Sequence, residues 1–226
     1  AHDAQWDALS MSLALQRETE RYATWDAGVR NPATPELTNT VFDALFTLPL
    51  ARNTLKFGGQ YQRSRVEDIA RQDQVPGYPN VDVARRNQWA LFAEDELRFT
   101  DAFRVTGGVR ADHSDDFGTH VTPRLYANYR LTPNWTLRGG VAERVEAPKL
   151  RQSTPGYCMT TGGGTQVRGT LCGNPGLNPE ESRTVEAGVR YDGDATHFGA
   201  TVFDTKFQNR VASYATSQPD PFNPGR

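Results

Sequence analysis

The sequence has 226 residues, with 25 Lys and Arg against 27 Asp and Glu and a formal net charge of -2. This length suffices for one large or two small domains, and the near-neutral charge gives no sign of nucleic-acid binding. No run of about 18 apolar residues occurs, which argues against a membrane-spanning helix but leaves a transmembrane β-barrel open, because barrel strands need only alternate apolar residues. The sequence has neither an initiator Met nor an apolar signal region, and it stops in a Pro-rich stretch. We therefore expect it to be part of a longer protein.

Apolar and polar residues alternate with a period of two along most of the chain, whereas the helical period of 3.6 is almost absent. In Leu9–Gln16, for example, the odd positions are apolar and the even positions are small or polar. Nine strands are predicted in this way. Six alternate strongly and three more weakly; they cover residues 9–16, 55–62, 103–112, 121–131, 135–144 and 185–191, and residues 36–48, 86–99 and 196–208.

The lengths of the connections also alternate. Short turns are predicted at 49–53, 100–102, 132–134 and 192–194, and longer links at 23–35, 65–85, 113–119 and 145–183. Short turns at one rim and long loops at the other, joined by strands of about ten residues, are typical of an outer-membrane β-barrel. A soluble β-sandwich is the alternative, but its strands are usually nearer five or six residues. The sequence therefore favours an all-β, antiparallel transmembrane barrel.

The polar face of the predicted strands carries charges of both signs. Such a lumen suits a wide barrel that holds water or a plug, since a small barrel would have to bury these charges tightly. Nine strands cannot close a wide barrel, and two open edges in hydrocarbon would leave costly unpaired backbone groups. Further strands are therefore expected in the parent protein. The polar-face charges are Arg104, Arg110, Arg124, Arg130, Arg138, Arg190, Glu94, Glu96, Asp112 and Glu186.

Several stretches, in a consistent order, carry a resemblance to a known family. They are Trp89–Glu96, Gly107–His113, Phe117–Gly118, Thr122–Arg124, Glu146–Gln152, Gly173–Glu180, Glu186–Val189 and Phe203–Asn209. Together they resemble the barrel of TonB-dependent outer-membrane receptors, closest to the branch of ferric-enterobactin and colicin receptors. The resemblance covers nearly all of residues 1–215.

This resemblance implies a barrel of about 22 strands around a plug, of which the nine predicted strands would be the middle portion. Residues 1–226 would then form a partial receptor barrel domain, without the plug and without the C-terminal strands. The implied protein is a transporter and not an enzyme, and it lies in the outer membrane of a Gram-negative bacterium. It would import a ferric siderophore, of the catecholate type, with TonB-coupled energy.

Two alternatives stay open at this point. One is a TonB-dependent receptor for another cargo, namely cobalamin, haem or a sugar. Residues 145–183 contain no His, which counts against haem. The other is a barrel without TonB coupling, either a porin or an outer-membrane enzyme, although no catalytic motif argues for an enzyme.

The expected partners follow from the same resemblance. They are the ferric siderophore as the transported ligand, the TonB complex acting through the missing plug region, and outer-membrane lipid. Colicins or phage are left open as further partners, and no nucleic acid is expected. No resident cofactor or metal is expected either.

Cys158 and Cys172 are the only cysteines and lie in the longest predicted loop. A receptor exported through an oxidising periplasm would join them in a disulfide. A zinc site would need two further ligands, and the loop offers none.

The candidate ligand contacts are arginines near the long-loop rim. The direction of the strands places Arg110, Arg124 and Arg144 in the rim half, facing inward, and the loop above supplies Arg151, Tyr157 and Arg168. An electropositive, aromatic-bearing vestibule would attract an anionic ligand. The alternative is that these arginines pair with carboxylates of the plug or the lumen. Glu94 and Glu96, for example, are expected to pair across strands with lumenal arginines, Arg110 among them.

Overall fold

The computed structural model describes residues 1–23, 25–26, 28–30, 34–67, 81–161 and 169–213. Within these residues, no helix is long and apolar enough to cross a membrane. The chain forms one open antiparallel sheet of ten strands, with a two-stranded hairpin in each of two connections. The elements are β1 (His2–Trp6), β2 (Leu9–Arg21), β3 (Trp25–Asp26), β4 (Val29–Arg30), β5 (Glu36–Pro49), β6 (Asn53–Glu67), β7 (Val83–Arg98), β8 (Phe103–Ser114), β9 (Gly118–Arg130), β10 (Trp135–Glu146), α1 (Leu150–Ser153), β11 (Cys158–Thr161), β12 (Gly169–Cys172), β13 (Glu180–Asp192) and β14 (His197–Gln208).

The order in the sheet is β1-β2-β5-β6-β7-β8-β9-β10-β13-β14, so that each strand pairs with the next one along the chain once the hairpins β3–β4 and β11–β12 are set aside. This meander confirms the predicted antiparallel barrel topology. In the described residues the sheet is open, with β1 and β14 at its edges, as expected for part of a barrel. Nine of its strands are the predicted ones. The tenth, β1, has the polar sequence HDAQW and pairs with β2 through a tight turn in which Asp7 has a φ of 45°.

The connections divide between the two ends of the sheet, as predicted. Short turns of two to four residues lie at 7–8, 50–52, 99–102, 131–134 and 193–196. The strand ends that are joined by the longer connections 22–35, 68–82 and 147–179 lie at the other end of the sheet. The prediction of a longer link at 113–119 is wrong. Strands β8 and β9 extend to Ser114 and from Gly118, which leaves three residues between them. Gly118 has a φ of 72°, a conformation that glycine adopts without strain and that permits this tight turn.

One face of the sheet is apolar and carries a row of large side chains at the long-loop end. Leu15, Phe42, Tyr61, Trp89 and His113 are successive register partners across β2, β5, β6, β7 and β8. The rings of Trp89 and His113 stack with their centroids 5.2 Å apart. We call these five residues the upper row. Leu15, Phe42, Tyr61 and Trp89 are all exposed, with 71% of Leu15 accessible.

A second group of aromatic side chains lies beside the short turns. Trp135, Tyr191 and Phe198 contact one another, with centroid distances of 5.0 to 5.5 Å. Phe103 contacts both Phe99 and Tyr129. These side chains form an aromatic level beside the short turns. Two aromatic levels with an apolar surface between them form the pattern of a lipid-facing barrel wall.

The two faces make a direct stability test possible. Leu125 lies on the apolar face near the middle of β9, is 52% exposed, and has Gly107 and Val141 as register partners. We expect Leu125→Arg to lower the free energy of unfolding by about 2–4 kcal/mol, since a cation near the bilayer midplane is poorly solvated. Urea-induced unfolding of the intact protein in phospholipid vesicles would measure the loss.

The matched control is Thr106→Arg. Thr106 lies at a similar depth on the polar face, opposite Tyr126 on β9 and Glu96 on β7. An added Arg there meets a carboxylate and water rather than lipid, so we expect a change below about 1 kcal/mol. Equal losses in both variants would contradict the assignment of the two faces.

Candidate ligand-binding site

The described part of the segment 147–179, which follows β10, packs against the polar face of β6 and β7. Leu150 and Tyr157 of this segment form a buried cluster with Val66 of β6 and Ala84 of β7. Strand β7 lies three places from β10 in the sheet. The segment therefore reaches across the ends of β8 and β9 and covers part of the polar face at the long-loop end.

Arg86 fastens this segment to the sheet. Its side chain is 4% exposed. Nε donates to Asp116 Oδ2 at 2.7 Å, Nη2 donates to Ser153 Oγ at 2.7 Å, and Nη1 donates to the carbonyl oxygen of Pro148. The guanidinium also lies 4.9 Å from the ring centroid of Phe117. One buried cation thus joins β7, the β8–β9 turn and the segment around α1.

The rest of the segment is closed by a hairpin and a disulfide. Cys158 and Cys172 are direct register partners on β11 and β12, and they are bonded. The predicted disulfide is confirmed. The amide of Gly173 donates to the carbonyl of Tyr157 at 3.0 Å, and the amide of Asn174 donates to the carbonyl of Gln152 at 2.7 Å. These hydrogen bonds hold Gly173 and Asn174 beside α1, just before β13 begins.

Arg110 lies on the polar face of β8 and is held by neighbouring side chains. Its Nε donates to both carboxylate oxygens of Asp112, at 2.9 and 3.0 Å, and its Nη2 donates to Gln60 Oε1 at 3.1 Å. The expected pairing of Arg110 with Glu94 or Glu96 is wrong. The register places Phe92 opposite Arg110, and the guanidinium lies 5.9 Å from the centroid of that ring.

Arg124 is the residue that pairs with Glu94. The two are separated by β8, where Gly108 is the register partner of both. A Cβ at Gly108 would lie 3.1 Å from Arg124 Nε. Because glycine has no side chain, the Arg124 side chain can cross β8 at this position and reach Glu94. Glu96 pairs with Arg104 at 3.4 Å. Cross-strand pairing with lumenal arginines is therefore confirmed for both carboxylates.

Arg144 is the most exposed of the predicted strand arginines. Its side chain is 74% accessible, and Nη2 lies 2.9 Å from Glu146 Oε2. It borders a groove of about 430 Å³ on the polar face of β9, β10, β13 and β14. Glu146 and Glu180, which are register partners, also line this groove. The charge beside Arg144 is therefore mixed rather than uniformly positive.

Two aromatic side chains line the same groove. Tyr126 lies over Gly140, where any Cβ would overlap its ring, and Phe207 extends from β14. The sequence-based set contained neither ring. Tyr126 was detectable in principle, because it alternates with the apolar residues of β9 and therefore lies on the polar face.

The loop residues of the predicted set differ in accessibility. Arg151 is partly exposed, and its charge acts on the neighbouring Tyr157. Tyr157 is 8% exposed, and its burial raises the pKa of the phenol, a rise that the Arg151 cation partly offsets. Tyr157 thus faces the loop core, which is the least favourable position of the set for a ligand contact. Arg168 lies outside the described residues. That these six residues contact a ligand stays a prediction.

Comparison with known proteins shows which protein family has this architecture. The family model described as TonB dependent receptor-like, beta-barrel, matches residues 1–226. The iron-regulated outer membrane virulence protein of Vibrio cholerae serotype O1 is 29% identical over 216 residues, which are 95% of this chain and 31% of that protein. The ferric enterobactin receptor of Pseudomonas aeruginosa is 27% identical over 241 residues, covering 94% of this chain and 32% of the receptor.

A solved structure gives the same result. A mutant of the Pseudomonas aeruginosa ferric enterobactin receptor (PfeA) in complex with enterobactin superimposes with a TM-score of 0.81 at 26% identity, over 95% of this chain and 35% of that one. The chain belongs to the TonB-dependent receptor-like β-barrel family. It is part of an outer-membrane barrel of a Gram-negative bacterium, and the family is one of receptors rather than enzymes. The chain spans about a third of the length of the relatives it matches.

The disulfide can be tested by thiol labelling. Cys158 is 1% exposed, and its bond to Cys172 closes a segment with a sequence separation of 14. We expect maleimide to label neither residue in unreduced, denatured protein and both after reduction. Cys158→Ser with Cys172→Ser should weaken the loop by about 3 kcal/mol, the chain-entropy value for a loop of about 15 residues. Labelling of both residues without reduction would rule out the bond.

The role of Arg86 can be tested by amide exchange. Arg86→Gln removes the ion pair with Asp116 and leaves Ser153 and the Pro148 carbonyl without their donor. We expect the α1 amides, such as that of Thr154, which donates to the Leu150 carbonyl at 2.9 Å, to exchange about ten- to a hundredfold faster. Hydrogen–deuterium exchange measures this directly.

Arg85→Gln is the matched control for Arg86→Gln. Arg85 is the next residue along β7, is exposed, and points to the opposite face of the sheet. Its replacement should leave exchange in α1 unchanged. A similar acceleration in both variants would mean that lost charge, not the bonds of Arg86, loosens the loop.

Proposed function

We propose that the protein carrying this chain binds a ferric siderophore of the catecholate type at the long-loop mouth and imports it across the outer membrane with TonB-coupled energy. The observation that carries the proposal is the match to a ferric enterobactin receptor over 94% of the chain. The family match sets aside the porin and the outer-membrane enzyme as alternatives. No bond of the cargo is made or broken in such a transport step.

The chemistry of the cargo suits the side chains at this mouth. A ferric catecholate chelate carries several negative charges around an aromatic rim, so a complementary site needs fixed cations and flat rings. Arginine provides a planar group that bonds to oxygen anions and stacks on rings. Arg144 is accessible at the groove, and Tyr126 and Phe207 offer ring surfaces beside it.

The existing ion pairs determine how the arginines would engage the cargo. Arg110 and Arg124 are bonded to Asp112 and Glu94, so a ligand would have to share or replace these carboxylates. Among the residues that the structure describes, Arg144 pairs only with the exposed carboxylate of Glu146. Exposed pairs are worth little, about 0–1 kcal/mol. Arg144 would therefore change partner at low cost, which makes it the leading contact on the strands.

The partners of the import step belong to the same proposal. TonB would act through a plug region, and colicins or phage remain open as further users of the receptor. Cobalamin is the alternative cargo that one relative supports, since the vitamin B12 transporter BtuB of Vibrio vulnificus is 25% identical over 73% of this chain.

The ligand contacts can be tested in the intact receptor by replacing Arg144, Arg151 and Arg168 together with Gln. Each lost charge-assisted contact should cost about 1–3 kcal/mol, so the dissociation constant for ferric enterobactin should rise at least tenfold. Quenching of tryptophan fluorescence on titration would measure it. Iron-free enterobactin and cyanocobalamin, titrated in parallel, distinguish the proposed cargo from the alternative.

The matched control replaces Arg104, Arg138 and Arg190 with Gln. These arginines lie on the polar face in the half nearest the short turns, so the charge lost is the same and the mouth is untouched. We expect wild-type affinity. An unchanged dissociation constant in the mouth variant, with normal folding and surface display, would mean that its arginines are structural. Tighter binding of cyanocobalamin than of ferric enterobactin would overturn the proposed cargo.

A further inference from the structure

The groove beside Arg144 carries two carboxylates at its long-loop end. Glu146 and Glu180 are register partners on β10 and β13, so their side chains lie directly opposite each other on the polar face. Glu146 is 60% accessible and pairs with Arg144 at 2.9 Å. Glu180 is partly buried, and no cation pairs with it among the residues that the structure describes. Like charges directly opposite each other on neighbouring strands repel, so this end of the groove attracts a cation.

The next row of the groove, farther from the mouth, has the opposite character. Arg144 is the register partner of Ser182, and Ser182 is that of Phe207, so a guanidinium and a ring flank a small hydroxyl residue. Arg210 lies 6.0 Å from the centroid of the Phe207 ring and brings a second cation beside it. This row is two residues from the carboxylates, which is about 7 Å along the strands. One groove therefore offers an anion-binding row and a cation-binding end.

The groove has room for an organic ligand that reaches both parts. On the side of Arg144 toward the short turns, the polar face contributes Ala142, Thr184 and Thr205, which are small. The hydroxyls of Thr184 and Thr205 lie 2.9 Å apart and bond to each other. Glu143 also borders the groove, but strand alternation directs its side chain to the opposite face. A volume of about 430 Å³ is within the usual range for small-molecule sites.

We infer that this groove selects a ferric catecholate whose backbone carries a protonated amine. The ammonium would lie between Glu146 and Glu180, and a catecholate ring would lie at Arg144. The inference rests on the proposed function, because it names the subclass of cargo that the same mouth would take. An ammonium at this position donates to both carboxylates and relieves their repulsion, whereas a chelate without a cation places negative charge beside them. Glu180 would determine the specificity, since Glu146 is already shared with Arg144.

Two ferric chelates that differ only in the charge of one nitrogen test this inference in the intact receptor. A spermidine with a catechol amide on each terminal nitrogen carries one protonated secondary amine, and the same compound with that amine acetylated carries none. Titration of each ferric complex, followed by quenching of tryptophan fluorescence, gives its dissociation constant. We expect the wild-type receptor to prefer the ammonium form about tenfold, which corresponds to one charge-assisted hydrogen bond.

Glu180→Gln should act differently on the two complexes. The complex with the ammonium should bind about tenfold more weakly, because it loses its carboxylate partner. The acetylated complex should bind as tightly as before or more tightly, because a negative charge beside it is gone. A purely structural effect of the substitution would instead weaken both complexes together.

Glu181→Gln is the matched control. Glu181 is the next residue along β13, has Val145 and Gln208 as register partners, and points to the opposite face of the wall. Its replacement removes the same charge at nearly the same level and should leave the wild-type preference intact. If it abolished the preference as Glu180→Gln does, the general charge of the mouth, and not contact with Glu180, would select the cargo.

Ferric enterobactin, titrated in parallel, separates this inference from the proposed function. Equal or tighter binding of the acetylated complex by the wild type, or an unchanged preference in Glu180→Gln, would overturn the inference. If ferric enterobactin still binds in that case, the proposed function stands. If none of the three ferric catecholates binds to the wild-type receptor, the proposed function falls and the inference falls with it.

Discussion

Backbone groups in hydrocarbon have no water to bond, so each amide and carbonyl of a spanning strand must find its partner on a neighbouring strand. This constraint accounts for the long antiparallel ladders of the sheet and for its unbroken meander. Because pairing fixes the register, it also fixes which side chains stand next to one another on each face. The upper row and the Glu94–Arg124 pair are both consequences of register, on opposite sides of one wall.

The segment over the polar face depends on a different interaction, the buried Arg86. Removing a guanidinium from water is costly unless its donors are satisfied. Here one carboxylate, one hydroxyl and one carbonyl accept from it, and a ring covers its flat side. These partners come from two separate parts of the chain, the β8–β9 turn and the segment around α1. The satisfied cation therefore gives the segment one defined position over β6 and β7, which the small apolar cluster could not specify by itself.

The sheet was more predictable from the sequence than the site. Period-two alternation identified nine strands and both faces because lipid and lumen impose opposite polarity on neighbouring residues. Strand β1 escaped because its five residues include only two apolar ones, Ala4 and Trp6, which are too few to establish a period. Arg86 escaped because two of its partners lie 62 and 67 residues away in the chain. The pairing of Arg110 was misjudged because it depends on register, and a shift of two residues exchanges Gly108 for Arg110 opposite Glu94. The disulfide was predictable because it required only two cysteines and an oxidising compartment.

The distance between the two aromatic levels sets the thickness of the apolar band of the wall. From Phe103 to His113, β8 is about 33 Å long. If the strand is tilted by about 40° from the membrane normal, this length corresponds to about 25 Å along the normal. That span matches the thin hydrocarbon layer of a bacterial outer membrane and is shorter than that of an average bilayer. In a thicker membrane the surrounding lipid would have to compress against this wall, at a cost of a fraction of a kcal/mol per Å. The same side chains that anchor the barrel at its interfaces thus also match it to one kind of membrane and disfavour others.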